Sequence, residues 1–318
     1  MRLVMIGCGG MGSYQAKKFT ELGVRLVGAI DHNEKHRTSF CSTYAVPFSF
    51  SSLDDLSFFQ GKADAISCCL PDSLHYECCQ LALSLGFAVF CEKPLTTSLE
   101  QAKLLADQAN GLPFMVNFSK RSTPALAALK QVLDEETLGI LEQVEISYLQ
   151  SWQKSHVWGN PEENFRWKWR LLPSYNPGGC LSDLGSHLLD TLFLLFGEVR
   201  FEKMVHTLQE AVPIAYQAKL IVGERTSCTL TCSYCDERWD DSLQIRVVGS
   251  LASAEINTSL DRKRVRFVQG REETYLLSPT PLSSSYQEFA RWADEGVAGK
   301  PDLGDGLRVQ ALLEEMSR

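Results

Sequence analysis

The sequence predicts an α/β protein of two domains: a doubly wound parallel sheet, then a domain built on a large, mainly antiparallel sheet. Apolar strands alternate with helix-like segments up to about residue 118, which is typical of a parallel sheet. From residue 199 to 277, short strand-like runs follow one another across polar or glycine turns, a pattern typical of antiparallel sheets. At 318 residues the chain is long enough for two cores. We therefore expect domains 1–118 and 119–318, with the last helix packing back on the first domain.

The first domain is assigned from its alternating pattern. Apolar runs predict strands at residues 3–6, 24–30, 63–70, 88–91 and 114–118. Helical periodicity predicts helices at residues 13–22, 33–44, 73–85 and 98–109. Ser98 is expected to cap the last of these helices, because Gln101 occupies the third helical position.

The second domain changes pattern after one helix (123–133) and one strand (141–149), where an aromatic loop spans residues 150–176. A helix carrying Asp183 and His187 follows. Period-two alternation then predicts strands at 214–222, 227–234, 243–248, 252–257, 264–269 and 273–277. Helices at 284–296 and 305–317 end the pattern.

Charge and hydropathy exclude several classes of partner. The net charge of -8, without a dense Lys/Arg run, predicts no nucleic-acid binding. No apolar run approaches the roughly 20 residues that span a bilayer, so we expect no membrane association. The eleven cysteines lie in apolar patterns and are odd in number, which indicates a reducing, cytoplasmic setting.

A zinc site at Cys228, Cys232 and Cys235 is the alternative use of cysteine that we considered. The strand pattern of residues 226–234 separates Cys228 from Cys232 by roughly 13 Å. We therefore interpret these cysteines as structural and predict no metal.

A glycine turn follows the first strand and predicts a dinucleotide site. Gly7, Gly9 and Gly12 fit G-x-G-x-x-G, where the glycines allow the tight turn, the approach of a pyrophosphate and helix packing. Gly10 and Met11 complete the turn and are expected to line the cofactor.

An acid at the end of the second strand extends this site. Asp31 lies nineteen residues beyond Gly12, where a carboxylate binds the ribose hydroxyls and favours NAD. His32 and Arg37 are positioned to attract a 2′-phosphate, so NADP stays open as an alternative.

The segment 177–190 carries the second chemical signal. Asp183 and His187 stand four residues apart, so they project from one face if the segment is helical. The pair provides a proton acceptor and a group to orient it. Glu92, Lys93 and Pro94 form a third signal, since they end an apolar strand at the sheet edge where open α/β sheets place ligands.

These motifs together resemble the Gfo/Idh/MocA family of NAD(P)-dependent oxidoreductases. The resemblance rests on the glycine turn, on residues 71–75 (Pro-Asp-Ser-Leu-His), on Glu92-Lys93-Pro94 and on the G-G-x-x-x-D-x-x-x-H segment, in family order. It implies an N-terminal Rossmann domain, a C-terminal α/β domain with a large open sheet, and substrate bound against the nicotinamide. It also implies a cis bond before Pro94.

The resemblance assigns site residues. It implies that Lys93, Asp183 and His187 are catalytic. We expect His187 to be the base and Lys93 to hold the reacting oxygen, although these two roles are exchangeable. It further implies cofactor contacts at Pro71, His75, Glu92 and Asn117, and a substrate contact at Lys120; Asp190 is expected to support His187.

The aromatic loop predicts a carbohydrate or polyol substrate, because aromatic faces pack on sugar C–H groups. We expect His156 and Trp158 to contact substrate, together with Arg170, while Trp167 and Trp169 support the glycine turn. The other polar and aromatic members, Trp152, Phe165, Arg166 and Tyr175, are expected to be mostly structural.

The predicted function is hydride transfer between a secondary hydroxyl of a sugar, sugar derivative or cyclitol and the nicotinamide. Two alternatives stay open: an NAD-dependent glycosidase on the same scaffold, and a non-catalytic regulator that senses a dinucleotide or sugar. A large sheet with one uncovered face exposes apolar area, which predicts a homodimer or homotetramer through the C-terminal sheet.

Overall fold

The computed structural model describes residues 1–280 and 282–318, with the Arg166 side chain outside the description. The chain forms two compact units. One comprises residues 1–118 and 284–310, and the other comprises residues 119–283 and 311–318. In the part described, no helix is long and apolar enough to cross a membrane.

The elements are numbered in chain order. The strands are β1 (Arg2–Ile6), β2 (Arg25–Ile30), β3 (Phe48–Phe50), β4 (Ala65–Cys68), β5 (Ala88–Cys91), β6 (Phe114–Val116), β7 (Leu141–Gln150), β8 (Val199–Gln209), β9 (Pro213–Val222), β10 (Thr226–Ser233), β11 (Asp241–Gly249), β12 (Ser253–Asn257), β13 (Asp261–Gln269) and β14 (Glu272–Leu276). The helices are α1 (Gly10–Glu21), α2 (Glu34–Tyr44), α3 (His75–Ser84), α4 (Leu99–Ala109), α5 (Pro124–Asp134), α6 (Trp152–Ser155), α7 (Phe165–Lys168), α8 (Ser186–Phe196), α9 (Ser285–Glu295) and α10 (Leu303–Met316).

The first unit contains a six-stranded sheet in the order β3-β2-β1-β4-β5-β6, with all strands parallel. The predicted doubly wound sheet is confirmed. The strand order reverses between β1 and β4, and such a switch point is where sheets of this class bind a dinucleotide at the carboxyl ends of the strands. β3 is a strand that the sequence pattern did not predict.

Helix caps and aromatic packing hold this unit together. Ser98 accepts a hydrogen bond from the Gln101 backbone N–H, as predicted. Ser284 and Gln287 form a capping box at the start of α9. The helix places Phe289 beside Phe19 and Phe90 in the core, with ring centroids 6.2 and 5.3 Å apart, respectively. Such pairs contribute about 0.5–1.5 kcal/mol each beyond area burial.

The second unit contains an eight-stranded sheet in the order β14-β13-β12-β11-β7-β10-β9-β8. Among the described strand pairs of this sheet, only β7–β10 is parallel, so the predicted mainly antiparallel sheet is confirmed. Residues of β9 alternate between buried and half-buried positions. The helices α5 and α8 contact the sheet.

We expected the uncovered face of this sheet to expose apolar area, but its centre is largely polar. Its central strands present Gln217, Lys219, Thr229 and Thr231, all half-buried. Large exposed apolar side chains occur instead on the two edge strands, for example Met204 on β8 and Tyr275 on β14. The reason is the period of two, because most apolar side chains of the central strand β9 occupy its fully buried positions.

The segment around Asp183 is helical, as predicted, but its first turn is a π-helix and not an α-helix. Residues Leu181–Gly185 form a π-helical turn that continues directly into α8. The Ser186 N–H donates to the Leu181 carbonyl five residues earlier. Single π turns of this kind are frequent at functional sites, because they re-aim side chains along a helix.

Candidate active site

In the first unit, the glycine turn between β1 and α1 has the geometry that a dinucleotide needs. Gly7 has φ +90°, and a Cβ there would lie 2.7 Å from the Cys69 carbonyl oxygen. A Cβ on Gly12 would lie 1.9 Å from the Gly7 carbonyl oxygen. A Cβ on Gly9, in contrast, meets no atom within 4 Å. The turn therefore packs tightly on the protein side and is open at Gly9, where the pyrophosphate is predicted to approach.

Asp31 follows β2 and is nearly buried, at 8% exposure. Its Oδ2 accepts from the Cys8 N–H at 2.7 Å, and its Oδ1 accepts from the Asn33 N–H at 2.8 Å. The carboxylate thus holds the glycine turn in place, and it lies where the cofactor ribose is predicted to bind. His32 is almost fully exposed, and Arg37 donates to the Asp31 carbonyl at 2.6 Å.

Glu92 and Asn117 belong to a buried polar network at the ends of β5 and β6. Glu92 Oε1 accepts from Asn117 Nδ2 at 2.7 Å and also from Gln15 Nε2. Asn117 Oδ1 accepts from the Ser285 hydroxyl at 2.7 Å, and its Nδ2 donates to the Tyr286 hydroxyl oxygen. Both predicted cofactor residues therefore have fixed orientations. Contact of Glu92 with a ribose stays a prediction.

Pro71, His75 and Lys93 complete the predicted set in this unit. Pro71 is half-buried and precedes a short 3₁₀ turn, while Lys93 is 9% exposed. The Lys93–Pro94 peptide bond is cis, as the family resemblance implied. His75 is completely buried, so its contact with cofactor stays a prediction.

In the second unit, two glycines before the π turn allow close contacts that a side chain would prevent. A Cβ on Gly178 would lie 1.8 Å from the Ser182 hydroxyl oxygen. Gly179 has φ +52°, and a Cβ there would lie 2.1 Å from the Pro213 carbonyl oxygen. These approaches bring the start of the helical segment onto β9. Asp183 and His187 follow from it, both buried.

Asp183 accepts two hydrogen bonds on one oxygen. The Tyr234 hydroxyl donates to Oδ2 at 2.8 Å, and Arg170 Nε donates to the same atom at 3.0 Å. Burial, followed by the nearby Asp183 charge, raises the pKa of Tyr234 well above its usual value. Tyr234 therefore keeps its proton and remains a donor to the carboxylate.

His187 lies beside Tyr148 of β7, with the rings edge to face and their centroids 6.2 Å apart. The Lys120 ammonium lies 4.5 Å from the centroid of the same Tyr148 ring. The structure thus brings two predicted residues, His187 and Lys120, to one aromatic side chain. Burial is the main cause that raises the Tyr148 pKa well above its usual value.

Asp190, one turn beyond His187, binds Arg121 through two hydrogen bonds. Arg121 Nε donates to Oδ2 at 2.8 Å, and Arg121 Nη2 donates to Oδ1 at 2.6 Å. Arg121 precedes α5 and Asp190 lies in α8, so this buried bidentate pair fixes the helix that carries His187.

The aromatic loop is packed around its tryptophans. Trp158 stacks on Trp167 with centroids 4.9 Å apart, and the Arg170 guanidinium lies 5.2 Å from the Trp167 ring. Trp158 is half-buried, whereas His156 is exposed. Arg170 therefore links the aromatic stack to the Asp183 carboxylate, and Trp158 retains accessible surface.

Three residues of these sites were not predicted from the sequence: Gln15, Tyr148 and Tyr234. Gln15 and Tyr148 occupy buried positions of a helix and a strand, Tyr234 is buried just after β10, and each has its polar or aromatic partner far away in the chain. Alternation alone gives no signal for such residues.

The first unit is a Rossmann sheet with a dinucleotide turn, and the second carries a buried acid and imidazole beside an aromatic loop. Together these features define a dinucleotide-dependent oxidoreductase. Residues 1–118 match the model of the oxidoreductase family with an NAD-binding Rossmann fold, and residues 126–255 match the GFO/IDH/MocA C-terminal domain. The chain belongs to the GFO/IDH/MocA family.

Relatives and solved structures agree with this assignment. Glucose-6-phosphate 3-dehydrogenase of Bacillus subtilis (strain 168) is 24% identical over 98% of this chain and 94% of its own length. A levoglucosan dehydrogenase in complex with NADH and levoglucosan superimposes with a TM-score of 0.86 at 18% identity, covering 100% of this chain and 96% of that chain.

An inositol dehydrogenase homolog from Azotobacter vinelandii, in complex with NAD⁺, superimposes with a TM-score of 0.88 at 19% identity, covering 99% of this chain and 94% of that chain. The predictions of an NAD(P)-dependent oxidoreductase and of NAD as cofactor are confirmed by the family. The glycine turn and Asp31 are the residues that would hold NAD, and their geometry fits it.

Proposed function

We propose that this protein is an NAD-dependent dehydrogenase that oxidises a secondary hydroxyl of a sugar, sugar derivative or cyclitol. The observation that carries the proposal is the buried Asp183 and His187 pair on one helical segment, with Asp183 held by Tyr234 and Arg170. The names of the relatives support the substrate class, since they include dehydrogenases of glucose 6-phosphate and levoglucosan.

The proposed chemistry divides between a proton and a hydride. Bound NAD supplies the acceptor for the hydride that leaves the carbinol carbon. We propose His187 as the base that takes the hydroxyl proton and Lys93 as the cation that stabilises the developing oxyanion. Asp183 is fixed by charge-assisted hydrogen bonds, which suits it to orient a substrate hydroxyl.

Substrate recognition is proposed to use the aromatic loop. Trp158 is half-buried and stacks one ring face on Trp167, and we propose that its other face packs on the C–H groups of a pyranose or cyclitol ring. Lys120 lies over Tyr148 beside His187, and we propose that it donates to a second hydroxyl.

The test is reduction of NAD, followed at the nicotinamide absorbance, against inositols, neutral aldoses, glycosides and sugar phosphates. Loss of a general base costs about 10²–10⁴-fold, so His187→Asn should lose this much of kcat with the productive substrate. His206→Asn is the matched control, because His206 is an exposed histidine of β8. Equal activity of both variants would contradict the assignment of His187 as base.

We further propose that the protein assembles as a homodimer or homotetramer through the second unit's sheet. The half-buried polar face of β9 and β10 and the exposed apolar residues of the edge strands support this. Light scattering after size exclusion should give a multiple of 35.6 kDa. Thr231→Arg, which places a bulky charge on that face, should shift the mass toward the single chain; an unchanged mass would place the interface elsewhere.

A further inference from the structure

His75 makes an unusual pair of contacts in the first unit. It opens α3, just beyond the end of β4, and none of its surface is exposed. Its Nδ1 lies 2.8 Å from the Pro94 carbonyl oxygen, and its Nε2 lies 2.9 Å from the Leu70 carbonyl oxygen. Both ring nitrogens are therefore at hydrogen-bond distance from backbone carbonyls.

A carbonyl oxygen can only accept, and a neutral imidazole carries one N–H group, so two such bonds require the doubly protonated ring. We propose that His75 is an imidazolium at neutral pH and a positioning residue, which ties the loop after β4 to the Lys93–Pro94 segment after β5. The proposal deepens the NAD-dependent function and rests on it for its catalytic consequence.

The two loops joined in this way both belong to the cofactor site. Leu70 follows Cys69, whose carbonyl packs closely against Gly7 and whose N–H donates to the Ile6 carbonyl. Pro94 follows Lys93, the proposed oxyanion-stabilising residue. A charged His75 therefore holds the Leu70 loop, which packs on the glycine turn, and the Lys93–Pro94 loop at the same time.

Buried charge needs compensation, and two groups supply it. The Cys68 sulfur of β4 lies within 4.8 Å of the imidazole nitrogen, and Asp72 starts the 3₁₀ turn before α3. Burial alone lowers the His75 pKa, but negative charge on Cys68 and Asp72 and the two carbonyl acceptors outweigh it, so the pKa is raised. Hydrogen bonds from neighbouring thiols, first that of Cys78, lower the pKa of Cys68.

A metal is the competing explanation for this cluster. Ligand atoms of Cys68, His75 and Cys91 lie within 4.8 Å of one another, a spacing that a soft cation could occupy. Both imidazole nitrogens face carbonyl oxygens, however, and a metal requires one deprotonated nitrogen. The carbonyl contacts therefore favour the imidazolium.

The direct test uses the unaltered protein with ¹⁵N-labelled histidine. Of the six histidines, one should keep protons on both ring nitrogens at pH 8, which lies above the ordinary histidine pKa of about 6.5. Six neutral rings at pH 8 would overturn the proposal. One equivalent of bound zinc with a metal-shifted ring nitrogen would also overturn it.

The functional test compares His75→Gln with His206→Gln in NADH binding, measured by fluorescence without any sugar. One side-chain amide cannot replace two opposed donors, so binding to H75Q should weaken about tenfold to hundredfold, with H206Q unchanged. In the unaltered protein, NADH affinity should fall as pH rises through the raised His75 pKa, and H75Q should lack this dependence.

The outcomes separate this proposal from the proposed function. Wild-type affinity in a folded H75Q would refute the positioning role. If H75Q does not fold, the ring-nitrogen measurement on the unaltered protein still decides the protonation state. Failure to oxidise any sugar would affect only the proposed substrate, because neither the NMR test nor NADH binding uses one.

Discussion

Replacing Tyr234 by phenylalanine removes one hydroxyl from the environment of Asp183. The Tyr234 hydroxyl donates to Asp183 Oδ2 at 2.8 Å in a buried setting. A hydrogen bond to a charged group contributes about 1.5–3 kcal/mol. If Asp183 must stay fixed for the reaction, the same free energy lowers kcat/KM for the sugar by about 10- to 150-fold. We expect KM for NAD to stay unchanged, since Asp183 and the glycine turn belong to different units.

Tyr216→Phe is the matched control. Tyr216 is also a buried tyrosine of this unit, but its hydroxyl donates to the Met316 backbone carbonyl at 2.6 Å. The loss of this neutral bond costs about 0.5–1.5 kcal/mol of folding free energy and leaves the active site intact. Urea denaturation and sugar-dependent NAD reduction should be measured for both variants. Equal activity losses in Y216F and Y234F would refute the reasoning.

Further predictions concern the glycine turn and the buried ion pair. Gly9→Ala should keep folding stability within about 0.5 kcal/mol and yet weaken NADH binding, whereas Gly12→Ala forces a Cβ to 1.9 Å from the Gly7 carbonyl and should impair folding. Thermal melts and NADH fluorescence distinguish the two, and tight NADH binding by G9A would contradict the predicted pyrophosphate path. Arg121→Met leaves Asp190 buried without its guanidinium and should cost about 3–5 kcal/mol in urea unfolding; a loss below 1 kcal/mol would show that the pair is not a major support of α8.

The sheets were predictable because their signal is local. Period-two and apolar runs placed most strands of both sheets, although β8 (Val199–Gln209) was not predicted, and turn lengths distinguished the parallel sheet from the antiparallel one. The other errors in strand prediction occur at short strands and at strand ends, where the sequence pattern is too brief to be recognised. β3 has three residues, Phe48–Phe50, too few to show a period. The run 63–70 shortens to Ala65–Cys68, because the Leu70 carbonyl bonds His75 and the Cys69 carbonyl packs against Gly7.

The site residues also divide into those that local sequence patterns predicted and those that they missed. Motif spacing predicted the glycine turn, Asp31 and the Asp183–His187 pair, since each depends on residues that are close in the chain. Tyr234 was missed because its partner lies 51 residues away. The π turn was missed as well, because Gly179 approaches Pro213, which lies far away in the chain, and helical periodicity carries no signal for that contact.

Gln15 shows why such residues become predictable only after the site is known. Its Nε2 donates to Glu92, while its Oε1 accepts from the Ser67 hydroxyl and from the Cys69 thiol at 3.1 Å. A leucine here would remove one of the donors to the buried Glu92 carboxylate, with Asn117 remaining, and a glutamate would set two carboxylates against each other. The amide therefore suits Glu92, and Glu92 is in turn predicted to contact the cofactor at this edge of the sheet. A buried network of this kind often stabilises less than an apolar core would, but when every member is satisfied it fixes the orientation of its side chains, here beside the glycine turn.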